Sequence, residues 1–297
     1  MKLNTCFLRT HSKAELDFFS EQKRGNMNIL ITGGHSGIGL TLTKMLLKEG
    51  HHIGLLVRNE ARKKDAIKAL GALHQLDFFY ADLGNQAEVA KAASQICEQW
   101  SHIDVLFNNA GLLLNDTYYS TQGNEMQYEV NTLAPYVLTL MLKSLLNKAS
   151  NPVVVNTVTA AMHKPKIIDV NNLAKPKKFV KFGLTSAYMQ SKLALTLLMS
   201  DLAIQWNNIR IVNVDPGPNK TPMSTGSAIP TWAKPIIYLF FSNPKKGGQK
   251  LYRAAFDRQW LNRTGIYITG DKIKPLKVKA QVSDFKELSP PLSNINL

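Results

Sequence analysis

Tyr188-Met-Gln-Ser-Lys192 sets a phenol and an ammonium four positions apart, which on a helix is one turn of one face. A free phenol has a pKa near 10, so proton transfer at neutral pH asks for a shift of up to roughly three units, about 4 kcal/mol. A neighbouring ammonium stabilises the phenolate and shifts the equilibrium in that direction. Taken alone, the pair is equally a surface tyrosine and lysine. It gains meaning only if the chain also positions a reactant beside it.

The stretch Asn28-Ile-Leu-Ile-Thr-Gly-Gly-His-Ser-Gly-Ile-Gly-Leu40 supplies such a reactant site. Ile29, Leu30 and Ile31 read as a buried strand, a glycine-rich turn follows, and Ile38, Leu42, Met45 and Leu46 then recur at helical spacing. Strand, tight turn and helix N-terminus predict a dinucleotide pyrophosphate site, because free N–H groups and the helix dipole favour an anion. Gly33 and Gly37 let the chain turn and phosphate approach, and Gly39 packs helix on strand. The spacing is Gly33-x3-Gly37-x-Gly39 rather than G-x-G-x-x-G.

Further chemistry-bearing residues stand at the ends of other apolar runs. Arg58 ends the second, about 20 residues past the glycine turn, where a carboxylate would suit the ribose of NAD and an arginine the 2′-phosphate of NADP. A guanidinium meets phosphate with two parallel hydrogen bonds, and Arg62, Lys63 and Lys64 add positive potential. The expected cofactor is NADP(H), with NAD(H) as the alternative. Asp82, in Ala81-Asp82-Leu83 after the third run, is placed to accept from the adenine amine, or else is an ordinary turn aspartate. Asn108-Asn109-Ala110-Gly111 follows the fourth; its small residues would let adenosine and ribose lie against the backbone, and its asparagines would brace loops through main-chain groups.

These positions need a frame, and the periodicity predicts one. Strands at 29–31, 52–57, 76–80, 104–107, 153–156, 209–214 and 265–269 alternate with helices near 38–49, 60–70, 86–100, 123–149, 185–206 and 245–256. Continuous Val/Ile/Leu strands between helices predict an α/β fold, a single Rossmann-fold domain with a doubly wound parallel sheet of about seven strands and helices on both faces. Right-handed crossovers bring the strand C-termini to one rim, where ligands bind. The domain is taken as 27–280, with residues 1–26 set outside the fold as an extension expected to be poorly ordered and 281–297 as a tail. Loops 160–184 and 218–242 should cover a substrate pocket; the second holds Met223, Trp232, Ile236 and Tyr238, the first is rich in lysine.

A chain of 297 residues with 44% hydrophobic and 19% charged residues can bury a sizeable core. Cys6 and Cys97 lie far apart, so no disulfide framework or metal site is implied. Both suit a reducing, cytoplasmic setting. No apolar run approaches the roughly 18–20 residues of a membrane span. The net charge of +15 comes with no nucleic-acid docking motif. It is read as a solvated surface, as attraction for anionic substrates, or as peripheral contact with an anionic membrane.

Together, Thr32-Gly33-Gly34-x-x-Gly37-Ile38-Gly39, Asp82-Leu83, Asn108-Asn109-Ala110-Gly111, Asn131, Tyr188-x-x-x-Lys192 and Asp215-Pro216-Gly217 resemble the short-chain dehydrogenase/reductase family, in its order, over roughly 27–270. Asn131–Thr139 and Ala187–Ala194 look most like its retinol-dehydrogenase-like branch. The resemblance implies that Tyr188 is the general acid or base for a carbonyl or alcohol, and that Lys192 holds the nicotinamide ribose and lowers the tyrosine pKa. Asn131 would position a water for proton relay, and Thr221 would bond the nicotinamide carboxamide. Gly33, Ser36, Gly37, Ile38, Gly39, Arg58, Asp82, Leu83, Asn109, Ala110, Gly111, Pro216 and Gly217 complete the implied cofactor site. The family's usual Ser-Ser becomes Val155-Asn-Thr-Val-Thr159, which puts Thr159 at the catalytic serine. Threonine keeps the hydroxyl and adds a methyl that stiffens the rotamer. Three readings stay open: a carbonyl reductase or alcohol dehydrogenase for a small, lipophilic molecule, a double-bond reductase like protochlorophyllide reductase, and a cofactor-binding regulatory protein. Among such relatives, homo-oligomers are common.

Overall fold

The computed structural model describes residues 7–8, 26–163, 173–176, 187–225 and 241–276. The sheet is built from β1 (Asn28–Thr32), β2 (His52–Val57), β3 (Leu76–Tyr80), β4 (Val105–Asn108), β5 (Val153–Thr157), β6 (Arg210–Val214), β7 (Ile266–Thr269) and β8 (Lys272–Ile273). Their order is β8-β7-β6-β5-β4-β1-β2-β3. β1 to β7 pair in parallel, and the two-residue β8 adds an antiparallel edge. Seven parallel strands match the expectation. The direction reverses between β1 and β4, so the cleft where ligands bind opens there.

Alternate strand residues feed two separate cores. Leu30, Leu106, Val154 and Ile211 pack with α3 (Gln86–Gln99), α4 (Ala134–Met141) and α5 (Ala187–Gln205). Ile31, Phe107, Val155 and Val212 face the other way, onto α1 (Gly37–Lys48), α2 (Glu60–Leu70) and α6 (Pro244–Phe256). Both faces of the central strands are thus covered, which is why they are apolar over most of their length rather than only at alternate positions.

One expectation needs correction. The helix expected over 123–149 is broken: a turn at Met126–Tyr128 runs into a π-helical segment, Glu129–Leu133, then α4, and a further turn at Lys143–Leu146. In the π segment the Ala134 N–H reaches back five residues to the Glu129 carbonyl. Such widened turns accommodate an extra residue inside a helix and recur at functional sites. Within residues 1–26, Phe7–Leu8 pair antiparallel with Arg263–Thr264, and residues 1–6 and 9–25 lie outside the described residues.

Candidate active site

The glycine turn is shaped by close approach. Gly33 and Gly37 have φ of +67° and +53°, a region that side chains with a Cβ rarely adopt. A Cβ on Gly39 would lie 2.4 Å from the Gly33 carbonyl oxygen and 2.5 Å from Asn109 Nδ2, so only glycine allows α1 this near the turn. Asn109 holds the turn from the other side: its Nδ2 donates to the Thr32 and Gly33 carbonyls at 3.0 and 3.3 Å. Thr32 Oγ1 accepts from the Asn109 and Ala110 N–H groups at 3.0 and 2.9 Å. Ser36 occupies the N-cap of α1, yet its hydroxyl makes no capping bond, and the first turn carries no acidic residue. A helix start with unspent donors and no opposing charge fits a pyrophosphate. Ile38, the second residue of α1, touches the position where Gly247 of α6 would carry a Cβ, at 2.9 Å.

Arg58 is exposed at the end of β2, and Arg62 lies in the first turn of α2, paired with Asp65 at 3.0 Å. Asp82 uses Oδ1 to accept the Gly84 N–H at 2.9 Å, a local turn, while Leu83 packs on the core beneath it. Asn108 does not brace main chain as expected of the asparagine pair; Asn109 alone does so. Asn108 instead starts a buried side-chain ladder across three strands in register. Its Nδ2 donates to Thr139 Oγ1 and Asn156 Oδ1, and Asn156 Nδ2 donates to Asn213 Oδ1. Asn213 reaches on to Ser200 of α5 at 3.4 Å.

Asn131 lies in the π segment, wholly buried. Its Oδ1 accepts the Leu112 N–H at 2.7 Å and its Nδ2 donates to the Leu112 carbonyl at 2.8 Å, which pins the loop after β4. Its Nδ2 also lies 3.2 Å from Ser191 Oγ, which donates to the Tyr188 carbonyl, and Thr132 Oγ1 donates to the Ser191 carbonyl at 2.7 Å. The π segment and the first turn of α5 are therefore tied where the tyrosine and lysine emerge. A Cβ on Gly111 would stand 3.3 Å from Asn131 Oδ1, from Lys192 Nζ and from Met223 Cε alike. The absent side chain thus marks a narrow space shared by those three groups.

Lys192 is 3% exposed and donates to the Thr157 carbonyl at 2.9 Å. Burial lowers its pKa to about 8. Burial, with the Asp215 charge adding, pushes the Tyr188 phenol up to about 12. The resemblance implies that Lys192 lowers the tyrosine; burial and the Asp215 charge instead hold the phenol above its ordinary value. Thr159 follows β5 at the head of a 3-10 turn, Ala160–His163, whose Met162 N–H donates to the Thr159 carbonyl. Thr196 of α5 donates to Met162 Sδ at 3.2 Å, so that turn is fastened to the helix bearing Tyr188.

After β6, Asp215 Oδ1 accepts the Gly217 N–H and Oδ2 accepts Thr269 Oγ1. Asn219 Nδ2 donates to the Pro216 and Gly217 carbonyls, which sets the turn. Thr221 caps the short helix Pro222–Thr225 through Ser224, and its Cγ2 lies 3.3 Å from where Gly37 would carry a Cβ. Residues 221–223 accordingly span from the glycine turn to the Gly111 space. Within the two expected substrate loops, residues 164–172, 177–184 and 226–240 lie outside the described residues, Trp232, Ile236 and Tyr238 among them. Cys97 is half-buried on α3 against the core, away from this rim, and Cys6 falls outside the described residues. Among the described residues no group of acidic, histidine or cysteine side chains could hold a metal. No helix among them is long and apolar enough to cross a membrane.

The sequence reading missed His35, Ser191 and the Asn108–Asn156–Asn213 ladder. His35 stood inside the glycine motif and Ser191 beside Lys192, so position alone could have flagged both; the ladder needed the strand register.

Residues 27–229 match the family model described as short chain dehydrogenase. Human retinol dehydrogenase 13 is 28% identical over 258 residues, covering 83% of this chain and 77% of that protein. Human polyprenol dehydrogenase is 27% identical over 255 residues, covering 82% and 76%. The Pseudomonas aeruginosa RhlG/NADP active-site complex superposes with a TM-score of 0.67 at 23% identity, covering 84% of this chain and 96% of that one. A parallel sheet that gathers the glycine turn, Asn131, Tyr188 and Lys192 on one rim, with a family match across most of its length, leaves one assignment: the chain belongs to the short-chain dehydrogenase family, in its retinol-dehydrogenase-like branch.

Proposed function

We propose that this protein is an NADP(H)-dependent oxidoreductase that interconverts a carbonyl and an alcohol on a small, lipophilic molecule, with Tyr188 as general acid and base. The observation that carries the reading is half-buried Tyr188 and buried Lys192 at the start of α5, with Lys192 Nζ and Asn131 Oδ1 both at the Gly111 space and Asn131 tied through Ser191 to the Tyr188 carbonyl. A nicotinamide cofactor, when bound, supplies or accepts the hydride. The glycine turn fits it, since bulk is excluded at Gly39 and donors stay unspent at Ser36.

The chain's own groups favour reduction as the direction of proton flow. A phenol held at about 12 is protonated at neutral pH and is ready to donate to a carbonyl oxygen. Lys192, at about 8, is still mainly an ammonium there and provides charge beside the developing oxyanion and the ribose. Thr159 takes the role of the usual serine, its hydroxyl polarising the substrate oxygen. Asn131 keeps the relay path open by clamping Leu112 against the π segment. Arg58, with Arg62 beyond it, supports NADP(H) over NAD(H). The names of the relatives, retinol and polyprenol dehydrogenases, support a lipophilic alcohol or aldehyde, and the half-buried Met223 at the Gly111 space is in keeping with it.

The test is NADPH consumption by purified protein against aldehydes, ketones, quinones and retinoids, beside Tyr188→Phe. Turnover should fall by at least about 100-fold in the variant, with cofactor affinity kept. Turnover that survives the substitution removes Tyr188 as the proton donor. Turnover that prefers NADH keeps the enzyme and removes the Arg58 argument. Tight cofactor binding with no turnover on any substrate favours the regulatory reading.

A further inference from the structure

The π segment carries a carboxylate that the proposed function does not use. Glu129 is wholly buried and stands two residues before Asn131. Its side chain draws three elements together. Oε1 accepts Gln86 Nε2 at 2.7 Å, from the first residue of α3. Oε2 accepts Ser120 Oγ at 2.9 Å and Asn124 Nδ2 at 2.8 Å, from a loop that closes on itself where the Ser120 N–H donates to the Asn124 carbonyl. All three partners are neutral side chains. A carboxylate taken out of water with no cation beside it depends on every donor it has, so so complete a set calls for an explanation. The backbone offers one. The Glu129 carbonyl is the acceptor of the five-residue bond from the Ala134 N–H. A widened turn holds one residue more than ordinary helix, and a return to α-helical bonding rotates its side chains by about 100° per residue. Asn131 lies inside that turn. Downstream, the turn is held by Asn131 on Leu112 and by Thr132 on the Ser191 carbonyl. Upstream, Glu125 caps its own turn through the Tyr128 N–H, and Gln127 accepts the Leu114 N–H. Among the described hydrogen bonds, Glu129 alone ties this turn to α3.

We propose that Glu129 is a positioning residue, whose carboxylate holds the π segment in its widened register and so aims the Asn131 amide at Leu112 and Ser191. The inference rests on the reading that Asn131 serves the proton relay, and it extends that reading to a side chain that acts only through another. Replacing Glu129 by alanine takes the acceptor from three donors at once, two of them on the buried Gln86 and Ser120. The turn then loses its hold on α3 and returns to ordinary helical bonding, which swings Asn131 off the Leu112 backbone. Glutamine is a different case. Its Oε1 still accepts from Ser120 and Asn124, and Gln86 need only turn its own amide to offer an oxygen to the new N–H. The shape-keeping substitution should therefore keep Asn131 in place.

The experiment uses the full chain as wild type, Glu129→Ala, Glu129→Gln, Asn131→Ala and the Glu129→Ala/Asn131→Ala pair. The first readout needs no substrate. It is the Asn131 side-chain amide signal in nitrogen-15 spectra, assigned by its loss in Asn131→Ala, together with hydrogen exchange at the Leu112 N–H. Glu129→Ala should speed that exchange by about tenfold or more and move the Asn131 signal toward that of a free carboxamide. Glu129→Gln should leave both near wild type. The second readout is carbonyl turnover. In Glu129→Ala, kcat should fall about 100-fold, with the Kd for NADPH within about twofold of wild type. Glu129→Gln should restore kcat, and the paired variant should fall no further than Asn131→Ala alone. If Glu129→Ala leaves the Asn131 signal and Leu112 exchange unchanged, Glu129 positions nothing and the inference fails. If both change but the losses in kcat multiply in the paired variant, Glu129 acts by another route and the inference fails as well. If wild type turns over no carbonyl, the proposed function fails, and the Asn131 signal still decides the positioning. Should Glu129→Ala not fold, Ser120→Ala withdraws one donor from Oε2 and the same signal is read; a shift supports the proposal and an unmoved signal overturns it.

Discussion

Lys192 is the most expensive residue of the site. It is an ammonium with 3% exposure and a single described acceptor, the Thr157 carbonyl. Its folded pKa of about 8 lies below that of a free lysine, so between about 8 and 10.4 the unfolded chain binds more protons than the folded one. Stability therefore rises with pH across that window, and the full penalty, up to roughly 3 kcal/mol, applies below it. Lys192→Met should raise the unfolding free energy at pH 7 by about 1–3 kcal/mol and abolish turnover, and its advantage should shrink as pH climbs toward 10. Urea melts at pH 7 and pH 9.5 check this; a variant less stable at pH 7 would mean that the Thr157 bond outweighs desolvation. The spacing put Tyr188 and Lys192 one turn apart on a helix, and α5 carries both. The direction in which their protons are held was not legible there, because spacing shows proximity and says nothing of how much water remains.

At the scale of elements, strand positions and most helix ends could be read from apolar runs, since a sheet dry on both faces leaves little ambiguity between strand and loop. The π segment could not. Glu129-Val-Asn-Thr-Leu133 continues a helical pattern into α4, and a shift of hydrogen bonding from four residues back to five leaves no mark on periodicity. The Asn108–Asn156–Asn213 ladder was equally hidden, because each asparagine ends or nearly ends a different strand and only the parallel register aligns them. The ladder links Thr139 of α4 to Ser200 of α5 through the sheet, directly beneath the rim. Asn156→Ala removes the central member and leaves Asn213 Oδ1 and one bond of Asn108 unmet inside the core, where Asn108 Oδ1 already has no partner. The expected loss is about 2–4 kcal/mol, read as a lower urea midpoint. An unchanged midpoint would show that water enters the layer and replaces the amide. The loss should exceed that of a surface asparagine such as Asn85, which caps α3 through the Ala87 N–H and whose replacement by alanine should cost about 1 kcal/mol.

For the whole molecule, the charge of +15 remains larger than the cofactor site needs. Local and global effects of that charge separate by kinetics. A summed positive field speeds the encounter with any anion and is screened once the Debye length falls to about 10 Å, near 0.1 M salt. On the proposed function, the Arg58 contact acts after encounter and sets how long the ligand stays. The 2′-phosphate adds roughly two negative charges to the dinucleotide, so the field should act more strongly on NADPH than on NADH. Stopped-flow binding should show the NADPH association rate falling by about tenfold between 0.02 and 0.3 M salt, with a shallower slope for NADH. Arg58→Ala removes one charge from a large excess. It should leave the salt slope nearly intact while raising the NADPH dissociation rate by about 10- to 100-fold, the worth of a hydrogen bond to a charged group. Equal slopes for the two cofactors would mean that the excess charge is spread away from the rim between β1 and β4. An Arg58→Ala variant that changes the association rate alone would mean that Arg58 guides the phosphate without holding it.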